Sequence, residues 1–152
     1  MRKQPLHPAA IAHICGGVDA PALTGTVRFY QFCHSVLVVT DLRGLPENDT
    51  GFFALHIHEG GSCNFGSVED PFPKTGSHYN SNDEQHPRHA GDLPPLLRAG
   101  DGAYSAVLTA RFTVSEVIGR TVVVHQNGDD LHTQPSGGAG MKIACGVIQP
   151  IR

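Results

Sequence analysis

Alternation of apolar and polar residues dominates the first third of the chain. Residues Ala9 to Gly16 alternate loosely and predict a first strand, with Cys15 expected as a small buried hydrophobe. Gly25–Cys33 and Ser35–Leu42 are β-branched and aromatic runs joined too closely for anything but a hairpin, with Cys33 and His34 at its turn. After the punctuation at Gly44-Leu-Pro46, Gly51-Phe-Phe-Ala-Leu-His-Ile-His-Glu59 predicts a fourth strand. Alternation then stops: Gly60 to Gly100 has no period, and loops of that length in a small domain are functional or disordered. Ala103–Thr113, Val117–His125 (interrupted by Gly119) and Lys142–Gln149 resume as strands, the last two separated by the Gly-rich loop Gln126–Met141. Roughly eight short strands with Gly/Pro turns and two long loops predict one all-β domain over residues 1–152, an antiparallel sandwich or flattened barrel.

Composition sharpens this picture. The chain has 18 Gly, 11 Pro and no Trp, which suits short punctuated strands. A net charge of −3 removes the basic face that nucleic acid or an anionic membrane would need, and no apolar run reaches the length of a spanning helix. Met1-Arg-Lys begins like an export signal, but Pro5, His7, Pro8 and His13 interrupt the apolar stretch that should follow. As written, the chain is expected in the cytoplasm, the alternative being export with a leader absent from this sequence. Four cysteines are too few for a disulfide scaffold and show no C-x-x-C spacing.

The ten histidines carry the candidate chemistry. His78, His86, His89 and Asp92 fall in one polar, proline-interrupted stretch with almost nothing apolar to bury. Three imidazoles and a carboxylate form a tetrahedral shell for a small divalent ion, whose bonds would offset the entropy of ordering that stretch. In an extended chain residues i and i+2 share a face about 7 Å apart, so His56 and His58 point one way while Leu55 and Ile57 point to the core. His125 closes a later strand.

Six ordered motifs now coincide: Gly51-Phe-Phe-Ala-Leu-His-Ile-His-Glu59, Gly76-Ser-His-Tyr-Asn80, His86-Pro-Arg-His-Ala-Gly-Asp92, Gly119-Arg-Thr-Val-Val-Val-His125, Asp129-Asp130 and Ala144-Cys-Gly-Val-Ile148. In these the chain resembles the copper/zinc superoxide dismutase family, of the bacterial type with a compact zinc loop, nearly end to end. The resemblance implies an eight-stranded Greek-key barrel, with copper on His56, His58, His78 and His125 and zinc on His78, His86, His89 and Asp92. His78 would be a shared imidazolate, Asp129 the carboxylate behind the ligands, and Cys63–Cys145 a disulfide tying the first long loop to the last strand. The implied reaction converts superoxide to dioxygen and hydrogen peroxide by Cu(II)/Cu(I) cycling, with His78 carrying a proton. Three positions before the last cysteine the family usually has an arginine that guides the anion; Lys142 stands there and keeps the charge without the planar fork. His7, His13, His34 and His132 match no ligand position, and Arg120 is expected to brace a loop. The resemblance allows a homodimer or a monomer. A copper carrier of the same fold and a plain structural sandwich are the competing readings, and the second leaves the histidines unexplained.

Overall fold

A computed structural model describes residues 6–152. Its main sheet has seven antiparallel strands in the order β5-β8-β9-β1-β2-β3-β7, curled around the core. The strands are β1 (Ala10–Gly16), β2 (Thr24–Phe32), β3 (Ser35–Arg43), β4 (Phe52–Phe53), β5 (Leu55–His58), β6 (Leu96–Leu97), β7 (Ala103–Thr109), β8 (Thr121–His125) and β9 (Lys142–Pro150). β4 and β6 form a separate two-stranded ribbon. The architecture is the all-β, curled antiparallel sheet expected of a Greek-key barrel. Among the described residues no helix is long and apolar enough to cross a membrane.

Period-two patterning sets the sheet. Val36, Val38 and Leu42 of β3 are buried while their odd-numbered neighbours are partly exposed, and Val27 and Phe29 of β2 face the same core. Burial of this alternating face supplies the driving force, at roughly 25 cal/mol per Å² of apolar surface. Phe112 meets Phe29 edge to face at 6.4 Å between ring centroids, closing the core below the chain's short helix.

Four details differ from the sequence expectation. The fourth strand is two pieces, because the chain leaves the ribbon at Ala54 to enter the main sheet as β5, and the stretch expected to have no period contributes β6, so the described residues form nine strands where roughly eight were expected. The stretch after β7 is not strand throughout: Thr113 and Glu116 form a reciprocal capping box that opens a one-turn helix, α1 (Val114–Val117). The strand expected from Val117 therefore begins only at Thr121. Cys15 is exposed, not buried, because β1 points Ile14 inward and Cys15 outward.

Cys33 adopts φ 54° at the β2–β3 turn, and neither it nor His34 approaches a ligand group, as expected of turn residues. Arg120 braces a loop: it donates to the Glu116 and Glu59 carbonyls at 2.9 and 3.1 Å and lies 4.0 Å over the Tyr79 ring. A disulfide joins Cys63 to Cys145 and fastens the loop after β5 to β9.

Candidate metal centre

β5 is an edge of the main sheet, and the long polar loop covers its open side. Glu59 N–H donates to Ser77 O at 2.9 Å, Ile57 N–H to Gly91 O at 2.9 Å, and Tyr79 N–H to Ile57 O at 2.8 Å. These bonds act as two short surrogate strands that satisfy an otherwise bare edge. Gly91 is required for the approach, since a Cβ there would meet Ile57 O at 2.3 Å. The lacing sets His78 beside His58 and Asp92 beside His56. On the other side β8 pairs with β5, and a register shift between Val124 and His125 turns His125 toward the same place.

All seven expected ligand residues therefore converge, each no more than 8 % exposed. The alternation reading placed Leu55 and Ile57 in the core, and they are there. It put His56 and His58 together on the opposite face, which the loop covers, so both are buried.

The hydrogen bonds fix which ring nitrogens are bare. His58 Nδ1–H donates to Gly76 O at 2.8 Å and His125 Nδ1–H to Gly140 O at 3.2 Å. Their Nε2 atoms, both left as acceptors, face each other 3.2 Å apart. Burial drives both rings toward the neutral form, His58 well below the ordinary imidazole range and His125 to about 3. Two opposed lone pairs with no proton between them are a poor contact unless a cation sits there. His56 Nε2–H donates to Asp129 Oδ2 at 2.8 Å, and its Nδ1 is buried without a partner. Its pKa falls to about 4 because burial outweighs the carboxylate beside it.

His78 occupies the middle. Its ring centroid lies 3.9 Å from that of His56, 5.0 Å from His58, 5.5 Å from His86 and 5.3 Å from His89. Nδ1 is 2.7 Å from Asp92 Oδ1 and 3.3 Å from His89 Nδ1, while Nε2 is buried and unpartnered on the other side. His86 donates from Nε2 to Asp129 Oδ1 at 2.8 Å and turns Nδ1 toward Asp92 Oδ2, 3.0 Å away without hydrogen-bond geometry. His89 Nδ1 lies 3.2 Å from the same oxygen. Asp129 thus holds one ring of each group, and the bonds from His56, His86 and Leu131 N–H keep its carboxyl well below the ordinary range although burial opposes ionisation.

Among the described residues two sets of donor atoms each fall within 4.8 Å of one another: His56, His58, His78 and His125; and His56, His78, His86 and Asp92. The sequence expected His89, not His56, in the second set. His56 enters because its ring lies tilted against His78, 3.9 Å between centroids, but its Nε2 is committed to Asp129 and only Nδ1 remains to bind. His89 brings a nitrogen to both Asp92 and His78 Nδ1, so the chemistry of the donors favours it there. Orphaned buried nitrogens and opposed acceptors fit two cations, imidazole-rich for copper and His/Asp for zinc.

A cavity of about 520 Å³ reaches the first set from solvent, lined by His58, His78, His125, Glu59, Ser136 and Lys142. Lys142 Nζ donates to Thr75 Oγ1 at 2.8 Å, Gly76 O at 3.3 Å and Phe72 O at 3.4 Å. Burial lowers its pKa, opposed by the charge of Asp70. His132 is exposed and stands 3.7 Å from Asp130, outside both sets. Arg111, which no motif marked, reaches from beyond β7 to donate to the carbonyls of Pro87 and His89 at 2.7 and 3.3 Å. Gln134 is a second such residue, bonded to the backbone of His86. Neither carries a local sequence signal, because each acts across a contact far away in the chain.

Comparison with known proteins agrees with this geometry. The family model described as copper/zinc superoxide dismutase (SODC) matches residues 23–148. The copper/zinc superoxide dismutase of Caulobacter vibrioides is 34 % identical over an alignment covering 92 % of this chain and 84 % of that protein. The Legionella pneumophila enzyme is 37 % identical, with 85 % and 80 % covered. The extracellular copper/zinc superoxide dismutase of Drosophila melanogaster is also 37 % identical, with 91 % and 83 % covered.

Proposed function

This chain belongs to the copper/zinc superoxide dismutase family, and we propose from its geometry how the work of converting superoxide to dioxygen and hydrogen peroxide is divided among its residues. It is an oxidoreductase whose cofactors are copper and zinc. His56 Nδ1, His58 Nε2, His78 Nε2 and His125 Nε2 would hold copper, and His78 Nδ1, His86, His89 and Asp92 would hold zinc. Bound there, copper supplies one-electron exchange with superoxide and zinc supplies fixed positive charge.

The remaining work falls to the protein. Asp129 keeps one ring of each group in the tautomer that leaves its binding nitrogen bare. Gly76 O and Gly140 O do the same for His58 and His125. Lys142 sets a positive charge on the wall of the cavity through which a small anion enters. Its three N–H bonds all go to the Phe72–Gly76 segment, so it acts on the substrate by charge and not as a hydrogen-bond donor. His78 Nε2 is the atom able to hold a proton between the two half-reactions and release it to peroxide, since it is the ring nitrogen away from Asp92 and has no protein partner.

One observation carries this reading: His78 presents its two nitrogens to two different groups of donors. Removal of superoxide generated by xanthine oxidase, measured on metal-loaded protein with and without chelator, tests it. The loaded protein should accelerate removal and His78→Ala should abolish the acceleration. A metal-loaded protein that leaves the removal rate unchanged sinks the enzyme reading.

A further inference from the structure

The loop Gln126–Met141 does more than cover the centre. It grips one residue of the first long loop, His86, by both ring and backbone. The ring is held by Asp129. The backbone is held by Gln134: His86 N–H donates to Gln134 Oε1 at 3.0 Å, and Gln134 Nε2 donates to His86 O at 2.6 Å. Neither of these backbone groups has another hydrogen-bond partner among the described residues. Buried backbone groups are paired almost without exception, so one side-chain amide, 48 residues away in sequence, completes the pairing of a buried histidine.

The turn that presents Gln134 is itself built to fit against His86. Asp130 caps the N–H groups of His132 and Thr133 at 3.0 and 2.8 Å and closes onto Gly137 O through its own N–H at 2.9 Å. Gly137, at φ +75°, lies so close that a Cβ there would stand 2.0 Å from Asp129 Oδ1 and 2.7 Å from His86 Nε2. Gln134 Nε2 also donates to His132 O at 3.2 Å, tying the amide to its own turn. Among the described residues nothing in its own segment pairs with the backbone N–H or C=O of His86.

We propose that Gln134 is a positioning residue for the zinc-side imidazole of His86, so that closure of the Gln126–Met141 loop and occupation of the zinc side are linked through this one amide. The proposal rests on His86 serving as a zinc ligand. Linkage is reciprocal: zinc binding should order the turn, and loosening the turn should weaken zinc. The copper side should lose less, because His56, His58 and His125 stand on or at the ends of sheet strands, and its ties to the loop, Asp129 to His56 and Gly140 O to His125, do not pass through the amide.

The test uses Gln134→Met, which keeps the length of the side chain and removes both hydrogen bonds to His86 together with the one to His132 O. Zinc and copper affinities of the full chain are measured by competition with chromophoric chelators. Amide hydrogen exchange at His86, Leu131 and Thr133 is followed with and without zinc. Zinc should bind about ten- to a hundredfold more weakly, the range typical of lost outer support, while copper stays within about threefold. In the parent protein zinc should slow exchange at all three amides; in the variant the His86 amide should exchange fast in both states. Zinc affinity retained within threefold overturns the proposal, as does an equal loss of both metals, which would mark a merely structural role. A parent protein that binds no zinc, or a His86→Ala variant that binds it normally, would instead overturn the ligand reading beneath it.

Discussion

Replacing Lys142 by methionine removes the cavity's charge while keeping most of the stem. Lys142 Nζ and His58 Nδ1 both reach Gly76 O, at 3.3 and 2.8 Å, which bounds their separation at about 6 Å. That separation, about 6 Å, is taken as the scale on which an anion beside His58 feels the charge. Coulomb's law gives about 0.7 kcal/mol there in bulk water and about 2.8 kcal/mol at an effective dielectric of about 20. The half-open cavity lies between these limits, so the rate with superoxide should fall about tenfold at low ionic strength. Salt should close the gap, because screening shortens from about 30 Å at 0.01 M to about 3 Å at 1 M. Pulse-radiolysis decay of superoxide over that range is the assay, with copper and zinc content checked in each sample. Lys142→Arg should keep the rate and show a shallower salt dependence than lysine. A methionine variant as fast as the parent at low salt, or a ratio unmoved by salt, would refute the charge argument.

Three further outcomes follow from the same geometry. Asp129→Ala should weaken zinc more than copper, because His86 stands on a loop while His56 is held by a strand; chelator competition reads the difference. Cys63→Ser should cost about 2–5 kcal/mol in urea unfolding, since the bond closes a loop of 82 residues, and in the parent protein only Cys15 and Cys33 should alkylate without reductant. In the metal-free protein, stability should drop as pH falls from about 6.5 to about 4. The sign follows from His56 and His125, which burial holds to about 4 and about 3: the unfolded chain takes up protons across that window and the folded chain does not. Melting temperature against pH would reveal it, and a flat profile would contradict it.

Local periodicity made much of the molecule legible. The hairpin of β2 and β3, the inward Leu55 and Ile57, and the terminal strand all follow from alternation, because one buried face imposes a period of two. The histidines were readable for a different reason: His-x-His on a strand and three His with an Asp in an apolar-poor stretch have no packing explanation. The pairing of the two groups through His78 came from family resemblance, and the structure supplies the contacts. What stayed hidden is long-range. Nothing local says that the chain changes sheets at Ala54, whereas the Thr113-x-x-Glu116 capping box and an outward Cys15 beside inward Ile14 are local signals that the strand expectation does not use. Gln134 and Arg111 look like ordinary polar residues until the fold sets them against the backbones of His86 and His89.

Anomalous diffraction at the copper and zinc edges, on crystals of the oxidised and fully loaded protein, bears most directly on the shared ring. The account predicts one copper and one zinc per chain on opposite sides of His78, copper at Nε2 and zinc at Nδ1. A ring at position 78 bonded to only one ion, or turned away from both, would contradict it.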